Sequence, residues 1–128
     1  MNGLDALALA ICWREGPLKP PNRSFRNCNG GNLRSPSSPA HDSGGYSIYP
    51  NFIAGFTALL ADLTDKFTGN NSHGLGPTST LLDLMNVYAP GQDGNDPSSY
   101  AAFCAGWIAL AIRKPITVSS TLASIWTP

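Results

Sequence analysis

Glu15 is the only glutamate in this chain of 128 residues, and it stands where a helix should end. The run Leu4, Ala6, Leu7, Ala8, Leu9, Ala10, Ile11, Cys12 and Trp13 predicts a helix over 3–14 with no polar face, the pattern of a helix in the middle of a domain. Arg14-Glu15-Gly16-Pro17 closes it, Gly supplying a C-cap conformation and Pro preventing continuation. A helix macrodipole disfavours an anion at this end. Trp13 and the apolar helix are also expected to desolvate the carboxyl in part. Both effects raise a carboxyl pKa, the direction wanted in a general acid near neutral pH. Protonating a glycosidic leaving oxygen is one reaction that needs such a group. The plain alternative is a helix-end residue paired with Arg14 or Arg34, and on position alone lone carboxylates are more often solvated.

A second polar cluster follows at Asn27-Cys28-Asn29-Gly30-Gly31-Asn32-Leu33-Arg34. Three Asn side chains and two adjacent Gly can bring amide donors, acceptors and bare backbone close to a neutral polar ligand, and sugars are such ligands. The Gly pair lacks the strand-loop-helix context and the Lys of a phosphate loop, so a nucleotide is not indicated. Taken singly, each Asn or Gly is better explained as a turn former.

Other residues carry less. Asp42, in His41-Asp42-Ser43-Gly44-Gly45, is the only Asp of the long loop and a candidate second carboxylate. Asp93 and Asp96 are later candidates, Asp96 being better read as an N-cap. Tyr46, Tyr49 and Tyr88 could contact sugar rings or be partly buried, with Tyr46 and Tyr88 beside predicted loops. Helical spacing places Trp107 in the core. His41 and His73 have no partners at metal-ligand spacing, so neither metal nor cofactor is expected. No nucleophile-elbow sequence supports a Ser-His-Asp triad.

The elements that must position these residues are mostly helical. Residues 16–45 form a long segment rich in Pro, Asn, Ser, Arg and Gly without periodicity, and a loop of that length is more often functional or flexible than inert. Tyr46-Ser47-Ile48-Tyr49 alternates weakly, as one short strand or an extended piece. Asn51 caps an amphipathic helix with Phe52, Phe56, Leu59, Leu60, Leu63 and Phe67 on one face. A Gly-rich loop over 68–77 leads to an N-cap among Thr78 to Thr80 and a helix carrying Leu81, Leu84, Met85 and Tyr88, stopped by Pro90. After a turn over 89–95, Asp96-Pro97 starts a helix expected to bury Tyr100, Phe103, Cys104, Trp107, Ile108, Ala111 and Ile112. A short last helix near 119–125 is expected to pack Leu122, Ile125 and Trp126. The expected fold is mainly α, with four main helices, one short one and a long active-site loop.

Size points to a single domain over 1–128. Eight basic and eight acidic side chains cancel, leaving no field to hold a phosphate backbone, so nucleic acid is an unlikely partner. The apolar run from Leu4 to Trp13 contains Asp5 and is too short to span a bilayer. It lacks the flanks of a signal peptide, so no export signal is visible. Cys12, Cys28 and Cys104 show no CxxC spacing; Cys12 and Cys28 either pair or remain buried free thiols.

In order and spacing, Arg14-Glu15-Gly16, Asn29-Gly30-Gly31-Asn32-Leu33-Arg34, Gly45-Tyr46, Gly55-Phe56-Thr57-Ala58-Leu59, Thr80-Leu81, Tyr88-Ala89-Pro90, Asn95-Asp96 and Tyr100 resemble the small lysozyme-like domains of phage and bacterial origin. The resemblance covers most of the chain; Cys28-Asn29-Gly30 departs from it, standing where Asn-Asn-Pro is expected. It implies the lysozyme-like helical fold and a lytic transglycosylase or muramidase acting on the β-1,4 bond between N-acetylmuramic acid and N-acetylglucosamine of peptidoglycan. Glu15 would be the acid/base, the loop from Asn29 to Arg34 would line the cleft, and Asn32, Arg34, Tyr46, Tyr88 and Asn95 would bind the sugar. A hydrolase needs two carboxyls, about 5–5.5 Å apart when retaining and about 6.5–9.5 Å when inverting; Asp42 would then be the second. A transglycosylase needs only Glu15 and leaves a 1,6-anhydro product. The resemblance further implies a monomer acting in the cell envelope or outside the cell, whether periplasmic, secreted or virion-associated. The rival class is a non-catalytic glycan-binding or structural module.

Overall fold

A computed structural model describes residues 1–16, 22–89, 91 and 94–126. Pro17, Pro90 and Asp93 therefore lie outside the described residues. The fold is mainly α-helical, with six helices and no strand beyond two isolated β-bridges among the described residues. In chain order the helices are α1 (Gly3–Glu15), α2 (Arg23–Arg26), α3 (Phe52–Thr68), α4 (Leu81–Tyr88), α5 (Pro97–Ile112) and α6 (Leu122–Trp126). They fall into two compact units: one is Ile11–Asp62, the other joins Met1–Ala10 to Leu63–Pro128.

In α1 the buried side chains are Leu4, Ala6, Leu7, Ala8, Ala10 and Ile11. Complete burial of Leu7 and Ile11 is worth roughly 1.5–3 kcal/mol each. The helix is not enclosed all round, however. Leu9 and Trp13, four residues apart and so on one face, remain 44% and 61% exposed.

In the unit that holds both termini, α4 packs on α5, with the rings of Tyr88 and Tyr100 edge to face at 6.3 Å. The first turns of α4 and α6 satisfy each other. A helix leaves its first N–H groups without intrahelical partners. Here Leu81 and Leu82 donate to the carbonyls of Ser120 and Val118, while Leu122 and Ala123 donate to those of Ser79 and Pro77. The Thr80–Thr121 bridge lies between these pairs. Thr80 forms a capping box with Asp83, and Thr121 Oγ1 accepts from Ser124 N. A Cβ on Gly3 would lie 1.7 Å from the Ile125 carbonyl oxygen, so α1 can begin against α6 only because residue 3 is glycine. The ring of Trp126 meets Phe67 edge-on at 5.6 Å.

Helix α5 corrects the expected core. Asp96 caps it through Ser99 N, with Pro97 in the first turn, as the sequence indicates. Tyr100, Ala101, Cys104, Ala105 and Ile108 are buried, but Trp107 is 46% exposed and Ala111 is exposed. Apolar residues occupy nearly every position of this helix, so periodicity could not tell its inner face from its outer one. In α3 the inner face is Leu59, Leu63 and Phe67; Phe52 lies toward solvent at 40%.

Candidate active site

Glu15 is the last residue of α1. The helix stops there because Gly16 takes a left-handed conformation, φ 68°, its N–H still bonding Cys12 O. The last carbonyls of a helix need outside donors, and the chain around α2 supplies them. Ser24 Oγ donates to Glu15 O at 2.9 Å and Asn22 Nδ2 to Gly16 O at 3.1 Å. Helix α2, which the aperiodic sequence hides, thus anchors the end of α1.

Helix α2 closes in turn through a Schellman arrangement. Asn29 N bonds Ser24 O and Cys28 N bonds Phe25 O, with Cys28 left-handed at φ 51°, the geometry that usually calls for Gly. The segment behind it is held by a fully buried amide. Asn29 accepts from Leu33 N and donates to the carbonyls of Leu33 and Ser47. Asn27, also buried, donates to Asp42 Oδ2 at 3.0 Å while its carbonyl accepts from Tyr49 N. Residues 22–49 are therefore a built platform rather than an open loop. Tyr46-Ser47-Ile48-Tyr49 contributes no strand, only the His41–Ser47 bridge and its flanking bonds.

On this platform Asn32 reaches Glu15. Its Nδ2 donates to Glu15 Oε1 in a long contact of 3.5 Å, from a left-handed backbone at φ 50°. Its Oδ1 is buried without a hydrogen-bond partner among the described residues. The carboxyl of Glu15 has its pKa raised, chiefly because burial penalises the charged form; the bond from Asn32 and the charges of Arg14 and Arg23 act the other way and are outweighed. Trp13 and Arg14, its neighbours in sequence, are both exposed. A partly desolvated carboxyl with an amide beside it can give up a proton and take one back.

Asp42 lies in the same unit but is differently employed. Its Oδ1 accepts from Gly44 N at 2.9 Å and Tyr46 N at 3.0 Å, shaping the turn, and its Oδ2 accepts from Asn27. Arg23 Nε stands 3.8 Å from Oδ2. These interactions, the Asn27 bond first, lower its pKa, so it is ionised where Glu15 holds its proton. Tyr46 carries the guanidinium of Arg23 over its ring at 3.9 Å and that of Arg34 at 4.2 Å. Arg34 Nη2 also donates to the Tyr46 hydroxyl at 2.6 Å.

The structure therefore gathers Glu15, Asn32, Arg34, Tyr46 and Asp42 in one unit. Tyr88, at the end of α4, and Asn95, exposed ahead of α5, belong to the other. Arg23 was not singled out in the sequence, whereas Asn27 and Asn29, expected there to offer their amides to a ligand, are instead buried and spent inside the platform, because only tertiary partners distinguish a buried amide from a ligand-facing one. Cys12, Cys28 and Cys104 form no disulfide among the described residues, and Cys12 and Cys28 are half-buried rather than buried; burial pushes the Cys12 thiol up to about 11. His41 Nε2 lies 2.7 Å from Ser35 O. Among the described residues no three His, Cys, Asp or Glu side chains gather to hold a metal, and no helix is long and apolar enough to cross a membrane. Comparison with protein-family models, with curated proteins and with solved structures finds no match for this chain.

Proposed function

We propose that this protein is a lysozyme-like peptidoglycan-cleaving enzyme, a lytic transglycosylase with Glu15 as its single acid/base. The observation that carries the reading is the state of Glu15: a carboxyl at a helix C-terminus with a raised pKa and an amide donor at 3.5 Å. The substrate is the glycan strand, and the work is done in the cell envelope or outside the cell.

The reaction needs one carboxyl. Protonated Glu15 gives its proton to the oxygen linking the muramoyl C1 to the next sugar, and that C1–O bond breaks. The resulting carboxylate takes the proton from the muramoyl C6 hydroxyl, whose oxygen closes on C1. A proton has passed from O6 to the leaving oxygen through Glu15, no water is consumed, and the product is a 1,6-anhydro sugar. Asn32 steadies the carboxylate between the two transfers through Nδ2.

Asp42 supports this route over a two-carboxylate hydrolase, because its oxygens already accept three N–H groups that shape the turn. The deciding experiment digests purified peptidoglycan with the wild type and with Glu15→Gln and reads the products by mass spectrometry. Anhydromuropeptides from the wild type alone are expected. Products heavier by one water would replace the transglycosylase by a hydrolase. Binding without cleavage by either protein would replace the enzyme by a glycan-binding module.

A further inference from the structure

Arg23 stands where the end of α1 meets the turn around Asp42. It is the first residue of α2, and its neighbours on either side anchor α1: Asn22 Nδ2 donates to Gly16 O and Ser24 Oγ to Glu15 O. The backbone of Arg23 is thereby fixed beside the residue that carries the reacting carboxyl. That anchoring is complete with Asn22 and Ser24, and nothing in it calls for a guanidinium at position 23.

The side chain is placed from the other direction. Arg23 Nε pairs with Asp42 Oδ2 at 3.8 Å, and the guanidinium carbon lies 3.9 Å from the centroid of the Tyr46 ring. Both supports are themselves held: Asp42 accepts from Asn27, Gly44 and Tyr46, and the Tyr46 hydroxyl accepts from Arg34 at 2.6 Å. Ordering so long a side chain costs rotamer entropy, which the ion pair and the ring face offset. From this seat the charge of Arg23 reaches Glu15. Burial acts most strongly on that carboxyl and penalises its charged form; against burial act the Asn32 bond, then Arg14 and Arg23. Cys12, on the same helix, feels the Glu15 charge in turn. Arg14 adjoins Glu15 in the sequence, whereas Arg23 is brought to it by α2 and the turn over 42–46.

We propose that Arg23, seated by Asp42 and Tyr46, is a positioning residue of the reaction: it opposes the negative charge that Glu15 carries after giving its proton to the leaving oxygen and before taking one from the muramoyl C6 hydroxyl. Asp42 then serves the reaction by holding Arg23, not by attacking the sugar. A cation fixed in advance suits this task because it lowers the energy of the ionised acid without reorganising as the proton leaves. Arginine stays charged at every pH at which the enzyme is folded. The inference rests on the proposed function for the reaction that uses Glu15, not for the coupling between the two charges.

The test reads the charge of Glu15 directly. Glu15 is the only glutamate in the chain, so the full chain labelled with carbon-13 at the glutamate carboxyl gives a single such resonance to follow against pH. Arg23→Gln is expected to raise the titration midpoint, and Arg23→Lys, which keeps the charge, to bring most of it back. Because the Arg23 side chain is 43% exposed, added salt should narrow the gap between the wild type and Arg23→Gln. Asp42→Asn deletes a negative charge, which alone would lower the midpoint, and releases Arg23, which alone would raise it; a rise is expected. Peptidoglycan cleavage at the wild-type optimum should fall roughly three- to ten-fold in Arg23→Gln, the scale of one partly screened charge pair, and recover in Arg23→Lys. An unmoved midpoint in Arg23→Gln, with the fold intact by thermal melting, overturns the proposal. A shift that Arg23→Lys fails to reverse does so too, since it marks lost packing instead of lost charge. A fall of the midpoint in Asp42→Asn overturns the part assigned to Asp42. Failure of the wild type to cleave peptidoglycan would instead overturn the catalytic reading, while the titration still decides whether Arg23 acts on Glu15.

Discussion

Asn32 meets Glu15 from a backbone conformation that side chains seldom adopt: φ is 50°, and Nδ2 lies 3.5 Å from Oε1. The left-handed turn lets a residue seventeen positions downstream face the end of α1. Asn tolerates this conformation better than other residues with a Cβ, so backbone and side-chain demands agree on one amino acid.

Two substitutions separate those demands. Asn32→Gly keeps the left-handed turn and loses the amide; Asn32→Ala loses both. Thermal and urea melts should place the Ala variant about 1 kcal/mol below the Gly variant. Activity should fall in both by a similar factor. Because the Asn32 bond favours the ionised form of Glu15, its removal should also carry the alkaline limb of the pH–rate profile to higher pH. An unmoved limb in both variants would show that Asn32 does not act on the carboxyl.

The raised pKa of Glu15 makes stability depend on pH in a definite direction. The folded state holds the proton more tightly than the unfolded chain, so more protons are bound when folded and stability declines with rising pH. The decline begins near the ordinary carboxyl value of 4.5 and ends above the raised one. Glu15→Gln cannot ionise and should lack this component. Relative to the wild type, the variant should therefore gain stability between acid and neutral pH, while cleavage drops by roughly 10²–10⁴-fold. Parallel stability curves would contradict the burial of the charge.

Asp42 should behave in the opposite sense. Its pKa is lowered by Asn27, Tyr46, Gly44 and Arg23, so the stability it contributes is present above the ordinary value of 3.8 and is lost as pH falls through the lowered one. Asp42→Asn retains a turn acceptor at Oδ1 and should keep most of the cleavage activity, with a lower melting temperature at neutral pH. Loss of activity as severe as in Glu15→Gln, with the fold intact by circular dichroism, would restore Asp42 as a second catalytic carboxylate.

Two backbone positions test how the platform is built. A Cβ at Gly55 would fall 1.8 Å from the carbonyl oxygen of Cys28, and a backbone atom cannot step aside as a side chain can. Gly55→Ala should cost about 3 kcal/mol or more, read as a large fall in denaturation midpoint. At Cys28 the preference is reversed: its left-handed φ of 51° should make Cys28→Gly more stable than Cys28→Ala by about 1 kcal/mol. Equal stability of those two variants would argue against the Schellman close of α2.

Much of the helical framework is legible without coordinates because its signals are local. Asn51 and Asp96 cap α3 and α5 through Ala54 N and Ser99 N, Thr80 caps α4, and Gly16 ends α1 with positive φ. Each depends on residues within one turn, which spacing displays directly. The inner faces of α1 and α5 were less legible. A helix that is apolar on every side gives no contrast, so the exposure of Trp13 and Trp107 depends on what other elements cover.

By itself the sequence determined roughly where the helices other than α2 start and stop, that Glu15 stands at the end of the first of them, and that an Asn- and Gly-rich segment follows. All of this is carried by caps, breakers and periodicity over a few residues. Only the tertiary structure decided that residues 22–49 form a platform, that Asn32 turns to Glu15 while Asn27 and Asn29 turn inward, and that Tyr46 carries two arginines. Those outcomes rest on hydrogen bonds that reach as far along the chain as the one from Tyr49 N to the Asn27 carbonyl, in a stretch without periodicity. There an Asn that forms a turn, one that fills a buried network and one that faces a carboxyl are the same letter until the chain has folded.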